Sequence, residues 1–481
     1  MKNKFLLIAS IAILFGCSDN LDLYPTTQFT QGSFYQNEEQ MEQAVNEIYH
    51  QLGSIYGPTG LPSLFGTLRS DNAHIITTAA GSNYLDQIDN FTITSNNGHV
   101  ENAWENSYKA IDICNNILYQ LESTTLDIDS SKLNMMKGQT LSIRALIYFN
   151  MVRVWGAVPY IDKKITPNES FDYLRVPPGE IYKNLIEDLN FAKDNLPEAY
   201  TGKDIGRVTK YGAAAILAKL YLTIQNLPAA QNELENIIDS GYYSLDANND
   251  GVVDVDDYLF LFLPDTKNSK SSILEVQYLS GENAFNSSHQ NAYAPWDFNF
   301  HLPGQTRTFR GVGLNTPTKD LEEEFEDNDP RKEVSIYPGY TNLKTGDFVE
   351  YPFTMKFYDP DFENAGQNIE IIRYADILLM YAEVTGNPDY LNMVRARVDL
   401  PLYGSSAYPS DKYSTLLSAI YHERRLELCF EFHRFFDLVR QERAIEVMAS
   451  QGYNLTEDQL LFPIPLNEID INPDLTQNEG Y

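Results

Sequence analysis

The densest run of metal-seeking oxygens in the sequence is DANNDGVVDVDD, from Asp246 to Asp257. Set against the twelve-position calcium loop, Asp246, Asn248 and Asp250 fall at positions 1, 3 and 5, Gly251 at the turn of position 6, Asp254 at 9 and Asp257 at 12. Val252 at position 7 would offer its carbonyl, and Val253 at position 8 is the apolar residue expected to tuck inward. Asp at position 12 has a shorter reach than the usual Glu. The expectation is a structural Ca2+ site with a Kd of roughly 10⁻⁴ to 10⁻³ M; the alternative is an acidic turn that holds no metal.

A second kind of chemistry is suggested by exposed-type aromatics set among amides and carboxylates, the combination that grips the weakly apolar faces and hydroxyl rims of sugars. Residues 283–301 concentrate it, with Tyr293, Trp296, Phe298 and Phe300 among Asn286, Asn291, Asp297 and Asn299. A second stretch, 71–97, carries Asn72, Tyr84, Asp86 and Asn90. Trp296 is the first choice for a ligand platform, followed by Tyr84; the competing reading is that many of these aromatics pack against helices.

Motifs for catalysis are missing. The sequence has no HExxH, since His422 is followed by Glu423, Arg424, Arg425 and Leu426, and no GxSxG, phosphate loop or CxxC. Glu423, Glu427 and Glu431 recur every four residues, interleaved with Arg424, Arg425 and Arg434. Glycoside hydrolysis needs two carboxyls facing each other across a cleft, so three on one helical ridge read instead as an ion-pair network that holds helices together.

The elements that must carry these residues are mainly helical. Met41, Ala44, Val45, Ile48 and Leu52 form one apolar stripe, and Trp104, Tyr108, Ile111, Cys114, Leu118 and Leu121 another. Residues 211–239 and 370–398 each read as helix, short turn, helix, with Asn226-Leu227-Pro228 and Gly386-Asn387-Pro388 as the turns. Small residues (Ala214, Ala215, Ala218; Ala375, Ala382) sit where paired helices approach, as in tetratricopeptide-type hairpins. Between about 243 and 367 glycine, proline, asparagine and aromatics replace the helical period, which predicts loops and short strands laid over the scaffold.

Residues 1–16 hold Lys2, Lys4 and an uncharged run from Phe5 to Gly16, the pattern of a bacterial secretion signal. The run is too short to span a bilayer. It ends in Leu14-Phe15-Gly16-Cys17, a lipobox-like sequence that predicts acylation at Cys17 and anchoring to a membrane. Its removal takes away two lysines and no acids, moving the formal charge from −32 to −34, a field that repels nucleic acid. Only Cys114 and Cys429 remain, too few for a disulfide scaffold, and buried free thiols are the expectation.

Four segments, in order, resemble the SusD/RagB family: GQTLSIRALIYFNMVRVWGAVPYI (138–161), with its Gly156-x-x-Pro159 exit; IIRYADILLMYAE (371–383); ERRLELCFEFHRFFDLVR (423–440), with Phe432 where the family often has glycine; and LFPIPLNEIDINPDLTQNEGY (461–481), with Glu479 in place of the common proline. The resemblance implies a mainly α, SusD-like fold with a single domain from 17 to 481, built on about four tetratricopeptide-like hairpins. Its helical scaffold would cover 33–242 and 368–448. The resemblance also implies an outer-membrane lipoprotein that binds glycan, without catalysis, for a TonB-dependent transporter of the SusC type. The RagB branch leaves peptides or glycoproteins as the alternative ligand, and a surface glycosidase is a remote third reading.

Overall fold

The computed structural model describes residues 34–76, 83–297, 299–303, 308 and 311–481; Cys17 and Phe298 lie outside them. Its frame is a running series of helices: α1 (Glu38–Ile55), α2 (Gly98–Ser123), α3 (Ser130–Trp155), α4 (Pro178–Asn195), α5 (Lys210–Thr223), α6 (Leu227–Asp239), α7 (Tyr374–Thr385), α8 (Pro388–Arg397) and α9 (Leu416–Glu427). From α2 to α8 each packs on the next in the chain, as hairpin repeats require if each pair is to bury its apolar face on its neighbour. Both stripes read from the sequence lie in this interior, Met41, Val45, Ile48 and Leu52 from α1 and Ile111 and Cys114 from α2, which packs on it.

Local signals set the helix ends. Asn226 caps α6 by accepting from the Ala229 amide, and Asn387 caps α8 by accepting from the Asp389 amide; in each case proline follows within two residues, where a missing N–H costs nothing. Gly386 ends α7 in the left-handed conformation.

The chain leaves the helical series after α6 and rejoins it at α7, which packs on α6. The intervening residues form an overlay with two short sheets. β1 (Ser272–Val276) pairs antiparallel with β4 (Ile369–Arg373), and β2 (Tyr337–Thr341) with β3 (Phe348–Phe353). Residues 370–373 are thus strand rather than the start of a helix. All five residues of β4 are buried, so the strand shows no two-residue alternation and reads in the sequence as an apolar run.

Glu423, Glu427 and Glu431 tie this overlay to the helices. Arg331 meets Asp329, Glu423 and Glu427; Arg373 meets Glu427 and Glu431; Lys356 meets Glu431; Arg395 meets Glu423; and Arg397 meets Glu427. All these groups are buried. Burial alone would raise the Glu427 carboxyl, but Arg397, Arg373 and Arg331 together hold it well below the usual range. Cys114 and Cys429 are buried free thiols. Among the described residues no helix is long and apolar enough to cross a membrane.

Candidate ligand-binding face

Two sequence-distant loops leave the scaffold side by side. Ala73–His74 pairs antiparallel with Thr316–Pro317, so the chain entering residues 75–97 and the chain arriving from 311–315 share one end of that pairing. The base is anchored from the far side. Arg434 donates to both oxygens of Asp71 at 2.7 Å, and Arg425 Nε donates to Asn72 Oδ1 at 2.8 Å. Burial would raise Asp71, yet Arg434 and Arg425 hold it below its ordinary value. Asn72 is fully buried and is an anchor of the loop, not a ligand group.

Segment 283–301 divides at Pro295. Around His289 and Tyr293 it is core. His289 Nε2 donates to the Tyr56 carbonyl (2.9 Å), the ring stacks on Phe357, and burial pushes its imidazole down to about 4. Tyr293 is 1% exposed, its hydroxyl 3.0 Å from Ser63 Oγ; it is a packing residue and is removed from the ligand-binding set. Phe300 is likewise buried, against Tyr340 at 4.6 Å between centroids.

The second half turns outward. Trp296 is 38% exposed, and its base is clamped by residues 311–314: Gly311 N donates to Pro295 O (3.0 Å), Gly313 N to Ala294 O (2.9 Å) and Val312 N to Asn291 O (2.9 Å). A Cβ at Gly311 would run into the Ala294 carbonyl, so glycine is what lets the two chains approach so closely. Asp297 braces the same turn. It accepts from Asn299 N (3.1 Å), from Asn299 Nδ2 (3.0 Å) and from Tyr340 OH (2.5 Å), which makes it a positioning residue whose oxygens are already engaged. Asn291 is exposed.

On the short helix Asn83–Asp89, Tyr84 is 38% exposed, its ring edge-on to His99, and the Asn97 amide donates to its carbonyl at 2.8 Å. Asp86 is half-buried next to it. Asp89, which the sequence reading passed over, accepts from the Ile75 amide at 2.9 Å, and burial pushes its carboxyl up to about 7. The exposed groups are therefore Trp296 and Asn291 on one segment and Tyr84 on the other, with Asp86 half-buried. Flat aromatic surface beside amide groups suits stacking and hydrogen bonding to a neutral polar ligand.

The 246–257 loop lies apart, between α6 and a short helix over Val255–Phe260. Asp246 accepts from the Asp250 and Gly251 amides (3.1 and 3.0 Å), and Asp257 from those of Asn248 and Asp254 (3.1 and 3.0 Å); Gly251 is left-handed at φ +91°. Val253 points to solvent, 46% exposed, instead of tucking inward. Among the described residues no three His, Cys, Asp or Glu side chains converge as a metal group.

Residues 326–481 match the model of the SusD family, and residues 20–222 match the family described as starch-binding associating with outer membrane. Along most of its length the chain is similar to SusD-family proteins. SusD-like protein P25 of Formosa agariphila is 25% identical over 548 aligned residues that span all of this chain and 99% of that one. A SusD-like protein of Bacteroides ovatus is 26% identical, over 91% of this chain and 82% of its own length. Among solved structures, a laminarin-binding SusD-like protein superposes with a TM-score of 0.78 at 27% identity, covering 93% of this chain and all of that one. The laminarin-binding protein shares the scaffold described above.

Proposed function

We propose that this SusD-like protein is a non-catalytic cell-surface lipoprotein, anchored through Cys17 in the outer membrane, that captures a glycan and passes it to a TonB-dependent transporter of the SusC type. The observation that carries the reading is Trp296, held half-exposed on a turn braced by residues 311–314. A rigid indole face costs little conformational entropy to use as a stacking platform. Support comes from the laminarin-binding relative and from the starch-binding, outer-membrane description of the N-terminal match. Calorimetric titration against neutral and acidic polysaccharides, laminarin included, with Trp296→Ala alongside, tests it. Binding to a peptide panel and to no glycan would favour the RagB-like alternative.

We also propose a structural calcium ion for the 246–257 loop, held by Asp246, Asn248, Asp250, the Val252 carbonyl, Asp254 and Asp257. Two features support it: the hard-oxygen donor set and a backbone already wound around Asp246 with Gly251 left-handed. The ion would brace the chain between α6 and the overlay.

A further inference from the structure

A cleft of about 690 Å³ opens on the helical side of the molecule, between α2 and the C-terminal segment 468–475, with residues 159–173 along its edge. None of the ligand-face residues lines it. Its walls are mixed: the aliphatic Ile111, Ile161, Ile165 and Leu475 stand beside aromatic rings such as Trp104 and polar groups such as Asp112. At the lining Phe171 and Ile471 are 47% and 53% exposed, and the Asn472 amide donates to the Phe171 carbonyl at 3.3 Å, holding the two segments together. Large apolar side chains left half in water at the mouth of a cleft mark a docking surface.

The charge around this cleft is one-sided. Glu105 and Glu468 line it, with Glu101 one helical turn before Glu105. The Trp104 indole holds Glu468 by a hydrogen bond, while burial first and then Glu105 and Glu101 push its carboxyl up. The lining cation, Lys164, stands over the Tyr119 ring at 5.1 Å. A positive group brought beside Glu468 would relieve the crowding of like charge, and the acidic chain, formally −32, draws cations toward it.

We propose that this cleft docks a peptide segment in which a lysine or arginine stands between apolar side chains, the apolar groups filling the aliphatic walls and the cation meeting Glu468 and Glu105. The probe is the capped tripeptide Ac-Leu-Lys-Leu-NH2, titrated calorimetrically into the full mature protein at low salt beside its neutral norleucine counterpart, Ac-Leu-Nle-Leu-NH2. The lysine peptide should bind at least about tenfold more tightly than the norleucine one, a difference that shrinks with added salt. Glu468→Gln should abolish the preference, Phe171→Ser should weaken both peptides, and Trp296→Ala should change neither. Equal binding of the two peptides, or no binding of the lysine peptide, overturns the proposal. Since Phe171 is surface-exposed, its variant keeps the test open if Glu468→Gln folds poorly, and glycan titration of the same variants reads the Trp296 face independently.

Discussion

Phe432 stands in left-handed backbone at φ +68°, at the position where the SusD-type motif often has glycine. It is nevertheless 3% exposed, in ring contact with Tyr56, His289 and Phe357. Left-handed strain in a non-glycine residue costs roughly 1–3 kcal/mol, whereas deleting a buried phenylalanine costs about 3–5 kcal/mol. Packing wins, so Phe432→Gly should lower the unfolding free energy by about 2 kcal/mol in urea titration; an unchanged or higher value would show that strain dominates. A second buried group carries a pH signature. Glu275 and Glu370 face each other across β1 and β4; Ser272 Oγ donates to Glu370 Oε1 at 2.6 Å, while Oε2 has no hydrogen-bond partner. Burial, then the Glu275 charge, hold the Glu370 carboxyl well above its ordinary value. The folded chain keeps a proton that the unfolded chain releases, so this stability is complete below the unfolded value, about 4.3, and is lost as pH rises toward the folded one. Glu370→Gln, neutral throughout, should melt with the parent near pH 4 and above it near pH 8; a gap that does not widen with pH would contradict this.

At the scale of elements, the 246–257 loop makes the most direct prediction. With 1 mM calcium against a dissociation constant of about 10⁻⁴ to 10⁻³ M, mass action adds roughly 0.4–1.4 kcal/mol to the folded state. The melting temperature should rise by about one degree on adding calcium and fall back with EDTA, and Asp246→Ala should remove the response. Identical melts with calcium and EDTA would reduce the loop to an acidic turn. The helices were legible because a stripe at 3.6-residue spacing survives whatever the partner is, as Met41 to Leu52 shows, and because caps such as Asn226 and Asn387 are local. β4 was hidden because it is buried on both faces. Within the ligand face, Trp296 was readable as an aromatic beside amides, but the direction of each side chain was not. Tyr293 turns inward to Ser63, and Asn72 inward to Arg425, a partner 353 positions away that no local pattern announces. Asp297 carried the right chemistry for a ligand contact and uses it to brace its own turn.

The whole molecule is a helical scaffold whose buried ion pairs fix an overlay, and the overlay fixes where Trp296 points. Arg331, Arg373 and Lys356 come from the overlay side and converge on Glu423, Glu427 and Glu431, while Arg425 and Arg434 pin the Asp71–Asn72 anchor beneath the neighbouring loop. Both halves of the ligand face are thus referred to one stretch of the C-terminal motif, residues 423–434, which gives that motif a structural reason independent of any ligand contact. The central claim is that this arrangement presents a glycan platform at Trp296. Calorimetric titration of the mature, unlipidated protein with laminarin and a wider polysaccharide panel, parent beside Trp296→Ala, tests it most directly. The account predicts saturable binding of at least one glycan by the parent and a loss of tenfold or more, about 1.4 kcal/mol, in a variant that melts normally. Glycan binding that survives Trp296→Ala unchanged, or a parent that binds no glycan in the panel, would contradict it.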